Sequence, residues 1–176
     1  MEKGCVQVYT GKGKGKTTAA LGLGLRAVGG GFKVTMFQFL KGVYSGELDS
    51  TPLLGGYFKI IRLAEANKFF SALSEDEKEK LKERLQEEMV QVREVLREKS
   101  CDLLILDEIM AAIHGKLLRV EDVCDLIQSR PPGMEMVLTG RNAPQEILDR
   151  ADLITEMCCV KHYMDHGVMA RRGVEK

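Results

Sequence analysis

The ten residues Tyr9-Thr10-Gly11-Lys12-Gly13-Lys14-Gly15-Lys16-Thr17-Thr18 constrain this chain more than any other segment. They follow a short apolar run, residues 5–9. They open a helical pattern over 16–28 that stops at Gly29-Gly30-Gly31, where glycine can take the left-handed conformation that closes a helix. Strand, glycine loop and helix in that order are the context that turns such a run into a phosphate site. Alternate glycines let the backbone curl until successive amide hydrogens face one concavity, and the helix terminus behind them adds partial positive charge. In this reading Thr10, Gly11, Lys12, Gly13, Lys14, Gly15, Lys16, Thr17 and Thr18 hold ATP. Lys16 brings a point charge to the terminal phosphates, Thr17 a hydroxyl to Mg2+, and Lys12 and Lys14 stand on the rim. The competing reading is a glycine-rich turn with a chance Gly-Lys-Thr.

The general pattern places glycine five residues before Gly15, where this chain has Thr10, so the loop is compressed to Gly-x-Gly-x-Gly-Lys-Thr. A second motif outweighs that departure. Leu103-Leu104-Ile105-Leu106-Asp107-Glu108 is an apolar strand ending in two carboxylates, the arrangement that sets an acidic group beside magnesium in phosphate-loop proteins. Alone, the Asp-Glu pair could be a helix cap. Together with the loop it makes Asp107 and Glu108 candidate metal ligands with Thr17, and Lys16, Thr17 and Glu108 the candidate catalytic groups.

Short apolar runs alternate with helical patterns along the chain, with strands expected at 5–9, 33–40, 58–63, 102–106, 134–138 and 153–160. The pattern predicts an α/β fold of three layers, a mostly parallel six-stranded sheet between helices. The longest helix is expected to begin near Ser74, which forms a capping-box pattern with Glu77. Its apolar stripe is Leu81, Leu85, Met89, Val92 and Leu96, and the charges opposite are a solvated face. Shorter helices are expected at 121–129 and 144–151. With 176 residues and no linker or repeat, residues 1–176 read as a single nucleotide-binding domain. Lys plus Arg and Asp plus Glu are 26 each, so no global field attracts nucleic acid or an anionic membrane. No apolar stretch approaches the roughly 20 residues that span a bilayer, and no signal architecture precedes the first strand, so a cytoplasmic location is expected. The five cysteines, odd in number and without Cys-x-x-Cys spacing, read as reduced core thiols.

The compressed loop is also where the chain resembles the ATP:corrinoid adenosyltransferases of the cobalamin pathway. The likeness recurs in order: Thr10 to Ala20, Gln38-Phe39-Leu40-Lys41-Gly42, Ser45-Gly46-Glu47, Leu106-Asp107-Glu108, and Leu138-Thr139-Gly140-Arg141 with Ala143-Pro144. It continues through Ala151-Asp152-Leu153-Ile154-Thr155-Glu156-Met157, Val160-Lys161-His162, Gly167-Val168 and Arg172-Gly173-Val174-Glu175. The resemblance implies a P-loop, RecA-like sheet, a homodimer, and attack of cobalt(I) on the ribose 5′ carbon of ATP with loss of triphosphate. It implies an ATP polarity reversed relative to kinases, a flavoprotein reductant for the cobalt, and nucleotide contacts from Arg26 and Arg141. A surface role for Arg26 is equally open.

Members of that family carry an aromatic segment with a Trp that walls the lower corrin face, and this chain has no Trp. Its corresponding stretch ends in Phe69-Phe70, which either supplies the corrin-binding wall or staples the long helix. Cys158, Cys159, His162 and His166 have one zinc-like spacing, but adjacent strand cysteines face opposite ways, so core thiols are the stronger reading. His114 reads as a helix-end cation. Two other function classes share the loop: a nucleoside kinase, against which stands the absence of an arginine-rich lid and a Cys-x-x-Cys loop, and a non-enzymatic binder of ATP or corrinoid.

Overall fold

The computed structural model describes residues 2–65 and 70–175. Six strands form one sheet: β1 (Val6–Thr10), β2 (Val34–Phe39), β3 (Phe58–Leu63), β4 (Leu103–Asp107), β5 (Glu135–Thr139) and β6 (Leu153–Glu156). Their order is β3-β2-β4-β5-β1-β6, and every pairing is parallel. Parallel neighbours need crossovers that cover both faces, which is why the central strands β2 and β4 are buried at every residue and mostly apolar, β4 up to Asp107 and β2 except at Thr35 and Gln38. The crossovers carry α1 (Lys16–Gly29), α2 (Glu47–Ser50), α3 (Glu75–Glu98), α4 (Ile109–His114), α5 (Val120–Ser129) and α6 (Gln145–Leu148).

Two apolar clusters separate the layers. On one face, Ala20 of α1 and its partly buried neighbours pack on Tyr9, Val34, Met36, Leu103, Ile105 and Val137. On the other, α3, α4, α5 and α6 cover Val8, Phe37, Phe39, Leu104, Leu106, Met136 and Leu138. The α3 stripe is buried at Leu81, Leu85, Met89, Val92 and Leu96, at about 1.5–3 kcal/mol for each fully buried side chain. Ser74 Oγ accepts from the Glu77 amide at 3.3 Å and Glu77 Oε2 accepts from the Ser74 amide at 2.8 Å. This is the expected capping box, a stabilisation of about 1 kcal/mol.

Five strands lie within a residue or two of their expected bounds, and the sixth is shorter. It ends at Glu156 rather than 160, because its partner β1 ends at Thr10 and leaves Met157 onward no strand to pair with. The helix expected over 144–151 contracts to Gln145–Leu148. α2 and α4, of four and six residues, are too short to display a helical period, so the sequence pattern does not mark them.

Parallel registry fixes where chemistry can gather. Tyr9 pairs with Thr139, Leu106 with Leu138 and Gln38 with Asp107. Thr10, Thr139, Asp107 and Gln38 therefore stand in a row at the carboxyl ends of β1, β5, β4 and β2, the edge at which open α/β sheets bind ligands.

Candidate nucleotide site

The loop from Gly11 to Gly15 leaves β1 at one end of that row. Gly15, at φ 115°, takes a backbone conformation that side chains rarely adopt and starts α1. Gly13 is required by a neighbour: a Cβ there would lie 2.7 Å from the Met157 carbonyl oxygen, and the Gly13 amide donates to that oxygen at 2.6 Å. The Met157 amide in turn donates to the Thr10 carbonyl at 2.9 Å, so the chain leaving β6 is tied against the loop. The Thr10 hydroxyl accepts from the Ala143 amide at 3.3 Å, a tie to the β5 side that glycine at this position could not make.

Lys16 is only 6% exposed, and its ammonium donates to the Gly11 and Gly13 carbonyls at 2.8 Å each. Burial lowers its pKa, Glu108 and Asp107 pull it back up, and Arg141 lowers it further. Lys16 thus holds its charge at some cost inside the loop, where an anion would compensate it.

Thr17, one residue on, donates its hydroxyl to Asp107 Oδ1 at 2.8 Å, and Thr139 donates to the same oxygen at 2.8 Å. Asp107 is fully buried; burial raises its pKa, against Lys41, Thr139 and Thr17. Glu108 follows in the left-handed region at φ 60°, ψ 23°, a strained conformation for a residue with a side chain, held by its amide donating to the Thr139 hydroxyl at 2.9 Å. It sits at the N-cap of α4, yet its side chain caps nothing. Burial raises its pKa too, and the neighbouring Asp107 adds to that, while Lys16 and Arg141 oppose it. A hydroxyl and two carboxylates form an oxygen-only donor set of net negative charge, which fits Mg2+.

Beyond Asp107 the row continues into groups for which sequence reading assigned no role. Gln38, fully buried, donates through Nε2 to Glu47 Oε1 at 2.9 Å and lies 3.5 Å from Asp107 Oδ2. The Lys41 ammonium contacts Glu47 Oε1 at 2.8 Å and Asp107 Oδ2 at 3.8 Å. Burial acts to raise the Glu47 pKa, but hydrogen bonds from Lys41, Ser45 and Gln38 prevail and hold it at about 2. Because that value lies below the ordinary 4.5, ionised Glu47 stabilises the fold above pH 4.5 and its contribution is lost as pH falls towards 2. In metal-free protein, Glu47→Gln is expected to lower the unfolding free energy by about 2 kcal/mol near neutrality, with the gap closing across that window. Urea unfolding at a series of pH values checks it, and a gap independent of pH would contradict it.

The remaining candidates divide. Lys12, Lys14 and Thr18 are exposed on the rim, Lys14 with its ammonium 3.7 Å from Glu175 of the carboxyl-terminal segment. Arg141 is exposed just past β5, and its charge acts on Lys16 and Glu108. Arg26 is not brought to the loop: it is exposed in the last turn of α1, roughly 15 Å along the axis from Lys16 at the helical rise, where a cation complements the helix dipole. Phe69 lies outside the described residues. The half-buried Phe70 packs on the α3-side apolar cluster, with the Lys78 ammonium 5.7 Å from its ring centroid and Gly115 against its edge. His114 ends α4, its Nε2 2.8 Å from the Asn142 carbonyl oxygen. The expectation of core thiols holds for Cys101 and Cys124, while Cys5 is half-buried. It is corrected for Cys158 and Cys159, which are exposed because the chain has left the sheet before reaching them. Among the described residues no group of three or more His, Cys, Asp or Glu is placed to hold a metal ion, and no helix is long and apolar enough to cross a membrane.

Comparison with known proteins bears on the whole chain. In solved structures, the flagellar accessory protein FlaH from Methanocaldococcus jannaschii superposes with a TM-score of 0.60 at 15% identity, over 89% of this chain and 72% of that one, a likeness of fold alone. The α/β P-loop architecture expected from the sequence is the one observed, with a sheet that is parallel throughout. The corrinoid adenosyltransferase of Escherichia coli K12 is 34% identical over 99% of this chain and 86% of its own length. The enzyme of that name from Salmonella typhimurium is 33% identical with the same coverage, and that from Sinorhizobium is 33% identical over 99% of this chain and 81% of its own. The family described as ATP:corrinoid adenosyltransferase BtuR/CobO/CobP matches residues 2–175. With the phosphate loop, the carboxylate strand end and the later sequence blocks all inside that span, the chain belongs to the ATP:corrinoid adenosyltransferase family.

Proposed function

We infer that this chain transfers the 5′-deoxyadenosyl group of ATP to the cobalt(I) of a corrinoid and releases triphosphate, in cobalamin biosynthesis or salvage. The carrying observation is the hydrogen bond from Thr17 to Asp107, 90 residues away, which joins the phosphate loop to the carboxylate strand end in a chain of this family. The electron pair of cobalt(I) forms the Co–C bond at C5′. The C5′–O bond breaks, its pair leaves with the triphosphate, and the product is cobalt(III).

Charge grows on the triphosphate as that bond breaks, so fixed donors aimed at it stabilise the transition state more than the ground state. Lys16 and the loop amides meet the phosphates, Lys12, Lys14 and Arg141 add positive charge from the rim, and Thr17, Asp107 and Glu108 would hold Mg2+. Bound there, the ion supplies Lewis-acid neutralisation of the leaving group. The chain acts as one domain. Reducing equivalents for cobalt come from a separate protein, such as a flavoprotein reductant, and the reaction belongs in the cytoplasm. A homodimer is supported by the edge strand β6, exposed at every residue and carrying Leu153 and Ile154 at 44% and 49% exposure. Sedimentation at twice the 19.6 kDa chain mass checks that assembly.

The test of function is anaerobic incubation with ATP, Mg2+ and chemically reduced corrinoid. Triphosphate with a new Co–C absorbance spectrum is the expected result; ADP would mark a phosphotransferase, and neither product a binding protein. The packing of Phe70 carries its own expectation. Phe70→Ala should cost about 2 kcal/mol of stability, less than the 3–5 of a full core phenylalanine, and reduce adenosylation from cobalt(II) and from cobalt(I) together. A selective loss from cobalt(II) with an unchanged thermal midpoint would assign Phe70 to the corrin wall instead.

A further inference from the structure

Gln38 carries a buried oxygen that nothing in the described protein satisfies. The residue is 0% exposed, its Oε1 has no hydrogen-bond partner, and its Nε2 is engaged by Glu47 Oε1 at 2.9 Å, with Asp107 Oδ2 at 3.5 Å. Exchanging the amide nitrogen and oxygen would not relieve this. It would turn the Gln38 oxygen onto two carboxylate oxygens, acceptor against acceptor, so Glu47 fixes the amide with Oε1 on its other branch. Leaving a buried carbonyl unsatisfied costs about 1–3 kcal/mol, which asks for a donor that arrives with the ligands.

The registry says which donor. Gln38 and Asp107 are paired residues on neighbouring parallel strands, so the amide stands beside the carboxylate that accepts from Thr17. The amide head that brings Nε2 within 3.5 Å of Asp107 Oδ2 also carries Oε1, so an ion held on that carboxylate would have its water shell near this oxygen. Mg2+ keeps several of its waters, and they are strong donors. We propose that Gln38 is a positioning residue of the magnesium site: Glu47 clamps its amide so that Oε1 accepts a hydrogen bond from a water on the ion. Lys41, bridging Glu47 and Asp107, braces the same clamp from the solvent side.

This inference rests on the assignment of Thr17, Asp107 and Glu108 to magnesium, and the experiment separates the two. The quantity to measure is magnesium coupling, the ratio of ATP affinity in excess Mg2+ to that in EDTA, by isothermal titration calorimetry. Gln38→Met, of similar shape but without a polar head, should reduce the coupling by about tenfold, the lower end of outer-shell effects on metal affinity. Metal-free ATP affinity should be unchanged, whereas the thermal midpoint sets removal of an unsatisfied buried oxygen against loss of the Nε2 donor to Glu47 and does not decide the question. Glu47→Ala, which releases the clamp, should lower the coupling in the same way, and it decides the question if the methionine variant fails to fold. Coupling within twofold of the parent in the folded variants overturns the proposal and marks Oε1 as the partner of a structural water. Asp107→Asn is the reference: if it too leaves coupling intact, Asp107 is no magnesium ligand and this inference falls with that assignment, whereas loss in Asp107→Asn alone rejects only the role of Gln38.

Discussion

Lys16→Ala is expected to reduce adenosyl transfer by about three orders of magnitude, the upper range for removing one preorganised electrostatic partner from a developing charge. Lys16 is buried in the loop with its ammonium on the Gly11 and Gly13 carbonyls, and burial lowers its pKa. It is therefore a charge held in readiness, and removing it should leave the stability of the free protein nearly unchanged. The sharper readout is linkage. A ligand present at 100 times its dissociation constant stabilises the folded state by about 2.7 kcal/mol, so ATP with Mg2+ should raise the parent's thermal midpoint and leave that of Lys16→Ala where it was. A full ATP-induced shift and parental turnover in this variant would remove Lys16 from the site.

The fold is legible because parallel strands covered on both faces are mostly apolar, with few polar residues such as Thr35 and Gln38. Residues 33–40 and 102–106 could be read from composition alone, and β2 and β4 occupy Val34–Phe39 and Leu103–Asp107. The same rule misled at the last strand. Met157-Cys158-Cys159-Val160 is as apolar as a buried strand, but whether it pairs is decided by where β1 stops, 147 residues earlier. Instead, its first carbonyl closes over Gly13. The candidate site divides along the same line. Lys16, Thr17, Asp107 and Glu108 announce themselves because each belongs to a contiguous motif whose neighbours supply its context. Thr139, Gln38, Lys41 and Glu47 lie in blocks of the family resemblance that assign them no role, since each acts on Asp107 only through registry or through a turn that folds back. Thr139 had one usable signal, its place at the end of an apolar run that a sheet sets level with Asp107. Glu47 stands in the Ser45-Gly46-Glu47 block of the family resemblance, but the block gives it no role, which comes only from its hydrogen bond with Gln38 at the end of β2. Arg26, given a nucleotide contact by the resemblance alone, stands in the last turn of α1.

Asp107→Asn is expected to lower turnover by about two to three orders of magnitude and to abolish magnesium coupling, with little change in stability. The reason lies in how its two oxygens are used. Oδ1 accepts from the Thr17 and Thr139 hydroxyls, and Oδ2 faces the Lys41 ammonium and the Gln38 amide nitrogen. Asparagine can satisfy only one side as an acceptor. Lys41 and Gln38 present nitrogens that can only donate, whereas hydroxyls can turn, so the Asn oxygen must face Lys41 and its amide nitrogen must face the threonines. Thr17 then has to accept where it donated, and the lone pair that would meet magnesium is redirected. The site also loses a full negative charge that Lys41 and the metal would share. Stability changes little, because the same substitution removes a carboxylate whose burial opposes its ionisation. Turnover within threefold of the parent, with coupling intact, would mean that Asp107 only braces Thr17 and Thr139 and that the ion rests on Glu108 and the phosphates; a large loss of stability would make it a structural anchor.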